Sequence, residues 1–317
     1  MRHFARLAGA ALIGAVTLAG AVPAQAQETI RFAFIKATTL IPFFYANEKG
    51  YFAEQGLTVE MIPVQGGPAV AAAIGGGSAD IGYAAITPVA IAREQGQPYR
   101  FFIGLEQEHL PDLLWGKMIA SEQSGVKTLA DLKGKNVLVG APGGLCELAA
   151  REWVAKAGLQ WSDVNPLFVP PPQMQAALEV GNADAACIFE PFFTAAMNSA
   201  AKPVVLASGY LADEKRPYNV DGIFADENWI KANGENIAKF KAAVQKAWKE
   251  LANDRDLLVG ILDKEFRFPP ELFDQVRLDY DADVGIDPAM LEPIVEALKK
   301  HGMLTTDMKV GDIVWSE

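Results

Sequence analysis

The sequence predicts an α/β protein with two lobes, each containing a parallel-rich β-sheet flanked by helices. Short apolar runs rich in β-branched residues alternate with longer segments of helical period. This alternation occurs twice, and the second run starts near Leu114. The chain of 317 residues is also longer than one hydrophobic core usually organises. Together these observations predict two α/β units.

The first run begins near Thr29 and repeats a strand-then-helix order. Its predicted strands and helices are, in sequence, the strand IRFAFIK, the helix and turn LIPFFYANEKGYFAEQG, the strand LTVEMIPV, the helix GPAVAAAIGGGSA, the strand DIGYAA and the helix TPVAIAREQG. Such a rhythm is typical of a parallel sheet covered by helices.

The second run has the same texture. It consists of the strand WGKMIA, the short helix and turn KTLADLKG, the strand NVLVGA, the helix GGLCELAAREWVAKAG, the segment NPLFVP, the helix PQMQAALEVGNA and the strand DAACIFE. Pro191 then interrupts the pattern, because proline cannot continue a regular ladder of hydrogen bonds.

The carboxyl-terminal third is predicted to be mainly helical. The segment DGIFADENWIKANGENIAKFKAAVQKAWKELAND is predicted to form one short strand followed by a long amphipathic helix, because apolar residues recur at spacings of three and four through Ile237, Phe240, Val244, Ala247 and Leu251. We expect this tail to pack on the first lobe. The chain would then cross between lobes near residues 110–116 and 190–215, with lobe I formed by residues 27–112 plus 212–317 and lobe II by 113–211.

The amino-terminal segment has the composition of a secretory signal peptide. Arg2, His3 and Arg6 precede an apolar stretch, and the small-residue triplet Ala24, Gln25 and Ala26 follows it. Interspersed glycines dilute this stretch below what a membrane-spanning helix needs. We therefore expect residues 1–26 to be removed and the mature protein to be periplasmic.

Charge and cysteine content exclude several classes of function. The formal net charge is −11, and no cluster of Lys and Arg suits nucleic acid phosphates. Cys146 and Cys187 either form a disulfide in an oxidising compartment or serve as small core residues. Neither has a neighbouring His or Cys at metal-ligand spacing, so no metal site is expected.

Polar loops at strand-to-helix junctions are the candidate ligand-binding segments. In parallel sheets, ligands bind outside the carboxyl ends of the strands, where helix amino termini present free N–H groups. The loops KATTL, QGGP, AITP and APGGLCE occupy such positions. They supply the candidate ligand-binding residues Thr38, Thr39, Gln65, Gly66, Thr87, Gly143 and Gly144.

Some of these candidates also have a purely structural interpretation. Thr87 precedes Pro88, and it is predicted to cap the following helix whether or not it also contacts a ligand. Gly143 and Gly144 allow either a tight turn or close approach of a ligand to the backbone.

Four further residues lie near the predicted crossings between lobes. Glu190 could bind an amine or hydroxyl of the ligand, or it could cap a local backbone turn. His109, Trp115 and Tyr218 could line the cleft, although each also suits a structural role.

Three stretches resemble the family of ABC-transporter solute-binding proteins for nitrate, alkanesulfonates, taurine and thiamin-pyrimidine precursors. They are KGYFAEQGLTVEMIPVQGGPAVAAAIGGGSADIGYAAITPVAIAREQG, KTLADLKGKNVLVGAPGG and AALEVGNADAACIFEPF, and together they cover most of residues 30–195. The resemblance implies the type II periplasmic binding protein fold, with hinge bending and a ligand cleft between the lobes. It also implies delivery of a small molecule to an inner-membrane ABC permease with its ATPase. We further expect a monomer without cofactor.

The resemblance places the family's ligand-contacting loops on Thr38, Thr39, Gln65, Thr87, Gly143, Gly144 and Glu190. It leaves the ligand open among sulfonates, pyrimidines and aromatic acids. The proposed loops contain no Arg, whereas Glu147 and Glu190 would suit amino or hydroxyl groups, such as those of a pyrimidine.

Two alternatives to uptake remain. One is an enzyme like thiamin-pyrimidine synthase, which shares the fold. No GxSxG elbow, HExxH motif or cysteine-rich iron motif is present, and the histidines are His3, His109 and His301. We therefore expect no catalytic residues. The other alternative is a sensory protein that binds ligand without transport, which the sequence does not distinguish from an uptake protein.

Overall fold

The computed structural model describes residues 27–108, 114–211, 213–252, 254–276 and 285–316. The predicted signal peptide, residues 1–26, and the candidate residue His109 lie outside these ranges. Within them, no helix combines the length and apolar character needed to cross a membrane.

The strands occur throughout the chain as far as residue 226. They are β1 (Glu28–Phe34), β2 (Leu57–Pro63), β3 (Ile81–Ala85), β4 (Tyr99–Gly104), β5 (Gln107–Glu108), β6 (Lys117–Ala120), β7 (Asn136–Leu138), β8 (Asn165–Leu167), β9 (Ala185–Ile188), β10 (Val204–Ser208), β11 (Tyr218–Asn219) and β12 (Asp221–Asp226).

The helices lie between these strands and in the tail. They are α1 (Ile41–Glu48), α2 (Tyr51–Glu54), α3 (Gly67–Gly75), α4 (Ile86–Glu94), α5 (Leu145–Lys156), α6 (Pro171–Glu179), α7 (Phe192–Met197), α8 (Glu227–Ala232), α9 (Gly234–Leu251), α10 (Arg255–Phe266) and α11 (Glu292–Lys300). Short 3-10 helices lie at Thr38–Leu40, Glu122–Ser124, Leu129–Leu132, Trp161–Asp163, Pro270–Gln275, Pro288–Leu291 and Val310–Asp312.

Two five-stranded sheets form the cores of the two α/β units. The first sheet has the order β2-β1-β3-β12-β4, and the second has the order β10-β6-β9-β7-β8. β1 pairs in parallel with β2 and β3, and β7 pairs in parallel with β8 and β9. The parallel-rich α/β class predicted from the sequence is thus confirmed.

One strand in each sheet runs against the others: β12 in the first sheet and β6 in the second. Each is the first sheet strand after the chain passes from one sheet to the other. The chain leaves a sheet at the carboxyl ends of its parallel strands and enters the next sheet at the same edge. The entering strand must therefore run away from that edge, which places its amino end beside the loops between the sheets.

The two connections between the sheets pair with each other. β5 and β11 form a two-stranded antiparallel sheet in which Tyr218 lies opposite Glu108. The buried Glu108 carboxylate accepts hydrogen bonds from the backbone N–H groups of Trp115 (2.5 Å), Gly116 (2.9 Å) and Tyr210 (2.8 Å), and from the Tyr218 hydroxyl. These bonds fasten both connections to one carboxylate.

The tail helices pack differently from one another. The amphipathic face of α9 buries Phe240, which stacks on Phe52 of α2 with ring centroids 5.1 Å apart. By contrast, α11 contacts both α4 and α5, which flank different sheets. α11 therefore lies against the first lobe, as expected of the tail, and it also reaches the second lobe.

A disulfide joins Cys146 of α5 to Cys187 of β9, with their Cα atoms 5.5 Å apart. Both cysteines are buried. The two interpretations offered by the sequence are therefore both correct, because the cysteines are core residues and also form a disulfide. The bond ties the first turn of α5 to the second sheet.

Candidate functional site

A cavity of about 270 Å³ lies between the two sheets, where loops from both meet. From the first sheet it is lined by residues 35–39, 63–67, Tyr83, Ala85, Pro88, Glu106 and Asp221. From the second sheet it is lined by residues 139–141, 144–146, 170–172, Phe189, Glu190, Phe192 and Tyr210. The carboxyl ends of the parallel strands thus open into one cavity, as in other open α/β sheets.

The first wall contains the hydroxyl and amide groups of the early loops. Thr38 and Thr39 are buried in the short helix after β1, and Gln65 and Gly66 follow β2. Gly66 has a φ of +88°, a backbone conformation that favours glycine, and it precedes the first residue of α3. This turn brings the amino end of α3 to the cavity.

The second wall is largely apolar. Phe189 and Phe192 both line it, with their rings edge to face at 5.9 Å. Pro170, Pro171 and Pro172 lie at the start of α6 and also line the cavity. Since proline has no backbone N–H, this helix terminus offers few donors to an anion.

Two carboxyl groups, those of Glu106 and Asp221, meet at the cavity. Glu106 follows β4 and Asp221 begins β12. The Glu106 backbone N–H donates to Asp221 Oδ1 at 2.9 Å, and the two side chains hydrogen-bond to each other. The Tyr83 hydroxyl donates to Asp221 Oδ2 at 2.5 Å. No Lys, Arg or His among the described residues forms an ion pair with either carboxyl.

The surroundings disfavour a double negative charge on this pair. Burial raises the pKa of Glu106 well above its ordinary value, and the neighbouring charge of Asp221 raises it further. Burial also raises the pKa of Asp221, to about 6, against the opposing effect of hydrogen bonds from Tyr83 and Glu106. The two carboxyls therefore favour sharing one proton over carrying two negative charges.

The two acidic residues singled out from the sequence already have protein partners. Glu190 lines the cavity, and its carboxylate accepts from the Thr194 hydroxyl at 2.9 Å and the Thr194 backbone N–H at 3.2 Å. This is the local capping arrangement that was one of its two interpretations. Glu147 pairs with Arg151 at 2.6 Å and accepts from the Gly143 N–H at 2.8 Å.

The structure brings together Thr38, Thr39, Gln65, Gly66, Gly144 and Glu190 around the cavity. Gly143 lies one residue outside this lining, and its N–H is bonded to Glu147. Tyr218 is buried at the connection between the sheets, where it bonds Glu108. His109 falls outside the described residues.

Thr87 is buried, does not line the cavity and does not cap a helix. α4 starts at Ile86 with Ala85 as its N-cap residue, so Thr87 is inside the first turn. Its buried Oγ1 has no hydrogen-bond partner in the part of the chain described. The predicted cap is wrong because the helix begins before Pro88 and includes it.

Sequence reasoning missed Glu106, Asp221, Tyr83 and Tyr210, all of which line the cavity. The candidate loops lie at the carboxyl ends of predicted parallel strands, whereas Asp221 stands at the amino end of a reversed strand. A usable signal was present, because Glu106 and Asp221 each lie next to a strongly apolar strand, YRFFIG or GIFA, a few residues outside a predicted crossing.

Comparison with known proteins gives a family and a set of relatives. The family model described as NMT1/THI5 like matches residues 37–256. A protein of Escherichia coli (strain K12), named for binding aliphatic sulfonates, is 26% identical over 306 residues, covering 95% of this chain and 90% of that protein. The nitrate/nitrite binding protein NrtA of Nostoc sp. is 25% identical over 252 residues, or 73% of this chain, and the chain spans only 56% of it.

Solved structures share the fold. The alkanesulfonate-binding protein SsuA from Xanthomonas axonopodis pv. citri, bound to MOPS, matches with a TM-score of 0.78 at 19% identity, covering 92% of this chain and 99% of that one. The zinc-bound ligand-binding component of an ABC-type import system from Staphylococcus aureus matches with a TM-score of 0.75 at 14% identity, covering 91% and 97%. In the described residues of the present chain, no group of three or more His, Cys, Asp or Glu side chains is placed to hold a metal ion.

Proposed function

We propose that this chain, which belongs to the NMT1/THI5-like family, is the ligand-capturing component of an ABC-type importer. It binds a small organic molecule between its two lobes and delivers it to a membrane permease that works with an ATPase. This molecule is of the sulfonate, pyrimidine or aromatic acid type. The mature protein acts as an exported monomer and carries out no chemistry on the ligand.

The observation that carries this proposal is that loops of both sheets enclose one cavity. The sheets approach each other at its rim, where a Cβ placed on Gly66 would lie 3.1 Å from the Cβ of Ala141. The sheets also approach each other at a second point, where a Cβ placed on Gly143 would lie 3.1 Å from the Ile91 side chain. A small molecule held here touches both lobes at once, which suits a protein that closes on its ligand.

The proposed mechanism is ligand-driven closure about the paired connections β5 and β11. In the open form the ligand can enter and contacts one wall. In the closed form it contacts both walls, and this additional contact energy shifts the equilibrium toward closure. The permease would then recognise the closed arrangement of the lobes. The lobe boundaries, 27–112 plus 212–317 and 113–211, remain a prediction of this proposal.

The test begins with native mass spectrometry of the purified mature protein, followed by thermal-shift screening of the three ligand classes. A ligand at about 1,000 times its Kd should add about 4 kcal/mol of stability. Small-angle scattering with the best compound should then show a smaller radius of gyration. An unchanged radius at saturation would count against closure, and turnover of a bound compound would favour the enzyme alternative.

A wedge variant tests closure independently of the choice of ligand. Ala141→Trp places a bulky ring where the lobes approach Gly66, so it should keep the lobes apart and weaken binding by on the order of tenfold or more. Ala53→Trp is the matched control, because Ala53 is exposed on α2, away from the cavity. Equal binding by both variants would contradict the proposal.

A further inference from the structure

The acidic pair at the cavity has features that a purely structural pair would not need. Asp221 is 4% exposed, and Glu106 is partly exposed toward the cavity that both residues line. The two carboxyls hydrogen-bond to each other, which requires a proton on one of them, so the empty pair carries less than its full negative charge. A positively charged group from outside could replace that proton.

The groups around the pair supply no such charge. The hydroxyl of Tyr83 from β3 bonds to Asp221, Tyr210 after β10 lies close enough for its pKa to be raised by both carboxylates, and the Glu108 carboxylate adds a further negative charge nearby. Lys36 is the cationic residue among the described lining residues. Its Nζ donates to the Glu265 carbonyl at 2.6 Å and lies 3.7 Å from the Glu265 carboxylate, so its charge is engaged elsewhere.

Tyr210 provides a second, independent indication of a ligand. The residue is 3% exposed and lines the cavity, and its ring packs where a Cβ at Gly116 would overlap it. Its backbone N–H donates to Glu108 at 2.8 Å. Its hydroxyl has no hydrogen bond to another described residue, and it is not one of the fully buried polar atoms that lack a partner. The hydroxyl is therefore accessible from the cavity, where a ligand group can bond to it.

From this arrangement we infer that Glu106 and Asp221, together with the hydroxyl of Tyr210, bind a positively charged nitrogen group of the ligand, and that the proton shared by the carboxyls leaves as this group binds. The inference rests on the proposed function, since it assigns a ligand class to the same cavity. The class is an organic ammonium or amidinium, with its apolar portion against Phe189, Phe192 and the three prolines.

The charge balance determines how binding depends on pH. The cation binds the fully ionised pair, so the proton on the pair is released to solvent. As pH rises, less of the empty protein carries that proton, and the affinity for a cation should increase. The affinity stops increasing at the pH at which the nitrogen group of the ligand itself loses its proton and its charge.

Three compounds of the same shape separate charge from fit: benzamidinium, benzamide and benzoate. Isothermal titration of the mature protein should show benzamidinium binding at least roughly tenfold more tightly than benzamide, with benzoate weakest. The heat of benzamidinium binding should vary with the ionisation enthalpy of the buffer, because a proton is released. No binding of benzamidinium, or binding no tighter than that of benzamide, overturns the inference.

Variants locate the effect. Glu106→Gln and Asp221→Asn keep the side-chain shape and should reduce the preference for benzamidinium over benzamide to about twofold or less. Glu106→Gln should also abolish the buffer dependence of the heat, which a merely structural role would leave unchanged. Tyr210→Phe should weaken benzamidinium binding several-fold, by about the value of one hydrogen bond. Glu122→Gln, at an exposed carboxylate, is the control.

The outcomes distinguish this inference from the proposed function. If benzamidinium does not bind, while a sulfonate or an aromatic acid stabilises the protein and closes the lobes, the inference is wrong and the uptake function stands. If benzamidinium binds with proton release but no compound changes the radius of gyration, the site assignment stands and closure is wrong.

Discussion

Lys300 and Glu152 join the last helix to the helix that carries the disulfide. The Nζ of Lys300 lies 2.9 Å from both carboxylate oxygens of Glu152, and His301 Nε2 lies 2.8 Å from Oε1 of the same carboxylate. Since α11 also packs on α4, this ion pair connects elements that flank the two different sheets. Burial tends to raise the pKa of Glu152, but bonds from His301 and Lys300 hold it below its ordinary value.

Glu152→Gln should therefore destabilise the protein in a pH-dependent way. A carboxyl with a lowered pKa contributes stability above its unfolded-state pKa and loses that contribution as pH falls through the folded-state value. The expected loss is about 1–3 kcal/mol at neutral pH, shrinking in acid. Urea unfolding at several pH values measures it, with Glu122→Gln as control. A loss of equal size at every pH would argue for a packing defect.

Glu106→Gln should have the opposite effect on stability. Burial raises the pKa of Glu106, so the native protein loses stability as pH rises from the ordinary carboxyl range through the raised value. Glutamine has no proton to lose, and the variant should be more stable than the parent by about 1–3 kcal/mol above neutrality. Thermal unfolding across pH checks this, and a variant no more stable at any pH would contradict it.

Removing the disulfide should lower stability without changing the fold. Cys146 and Cys187 are separated by 41 residues, and a cross-link of that length contributes about 2–4 kcal/mol. Replacing both cysteines with alanine should lower the free energy of unfolding by this amount. The parent treated with reductant should match the double variant, whereas the double variant should not respond to reductant. A parent insensitive to reductant would contradict the prediction.

Tyr218→Phe should weaken the junction between the lobes. The hydroxyl donates to Glu108 and accepts from the Leu211 N–H at 3.1 Å, so its loss leaves two buried groups each lacking one partner. The expected cost is about 1–3 kcal/mol by chemical denaturation. Tyr45→Phe is the control, because that hydroxyl bonds a carboxylate near solvent, Glu250, at 3.1 Å. An equal loss of unfolding free energy in the two variants would contradict the prediction, because it would show that burial of Glu108 does not strengthen its bond to Tyr218.

Residue periodicity predicts most of the fold because each α/β unit is built from local strand and helix signals. The strand at 81–85 and the helix after Gly144 appear where the pattern indicates them. The direction of β6 and β12 could not be predicted in this way. It depends on the edge at which the chain enters each sheet, which is a property of the tertiary arrangement.

The candidate site was predictable only where it is made of strand-to-helix loops. Thr38 and Gln65 reach the cavity by this rule. Asp221 does not, because it meets Glu106 through a pairing of strands over 100 residues apart in sequence. Glu147 shows the converse: its acidity suggests a ligand partner, but Arg151 lies one helical turn away and pairs with it.

The pairing of β5 with β11 also limits the mechanical freedom of the molecule. Two separate connections could each bend and twist, which would let the lobes shear as well as rotate. Here Tyr218 and Glu108 fasten the connections side by side, so neither can twist without straining the other. For the closure proposed above, this pairing favours rotation of the lobes about one axis. A bound ligand then has to restrict only this one rotation, which keeps the entropic cost of ligand binding small.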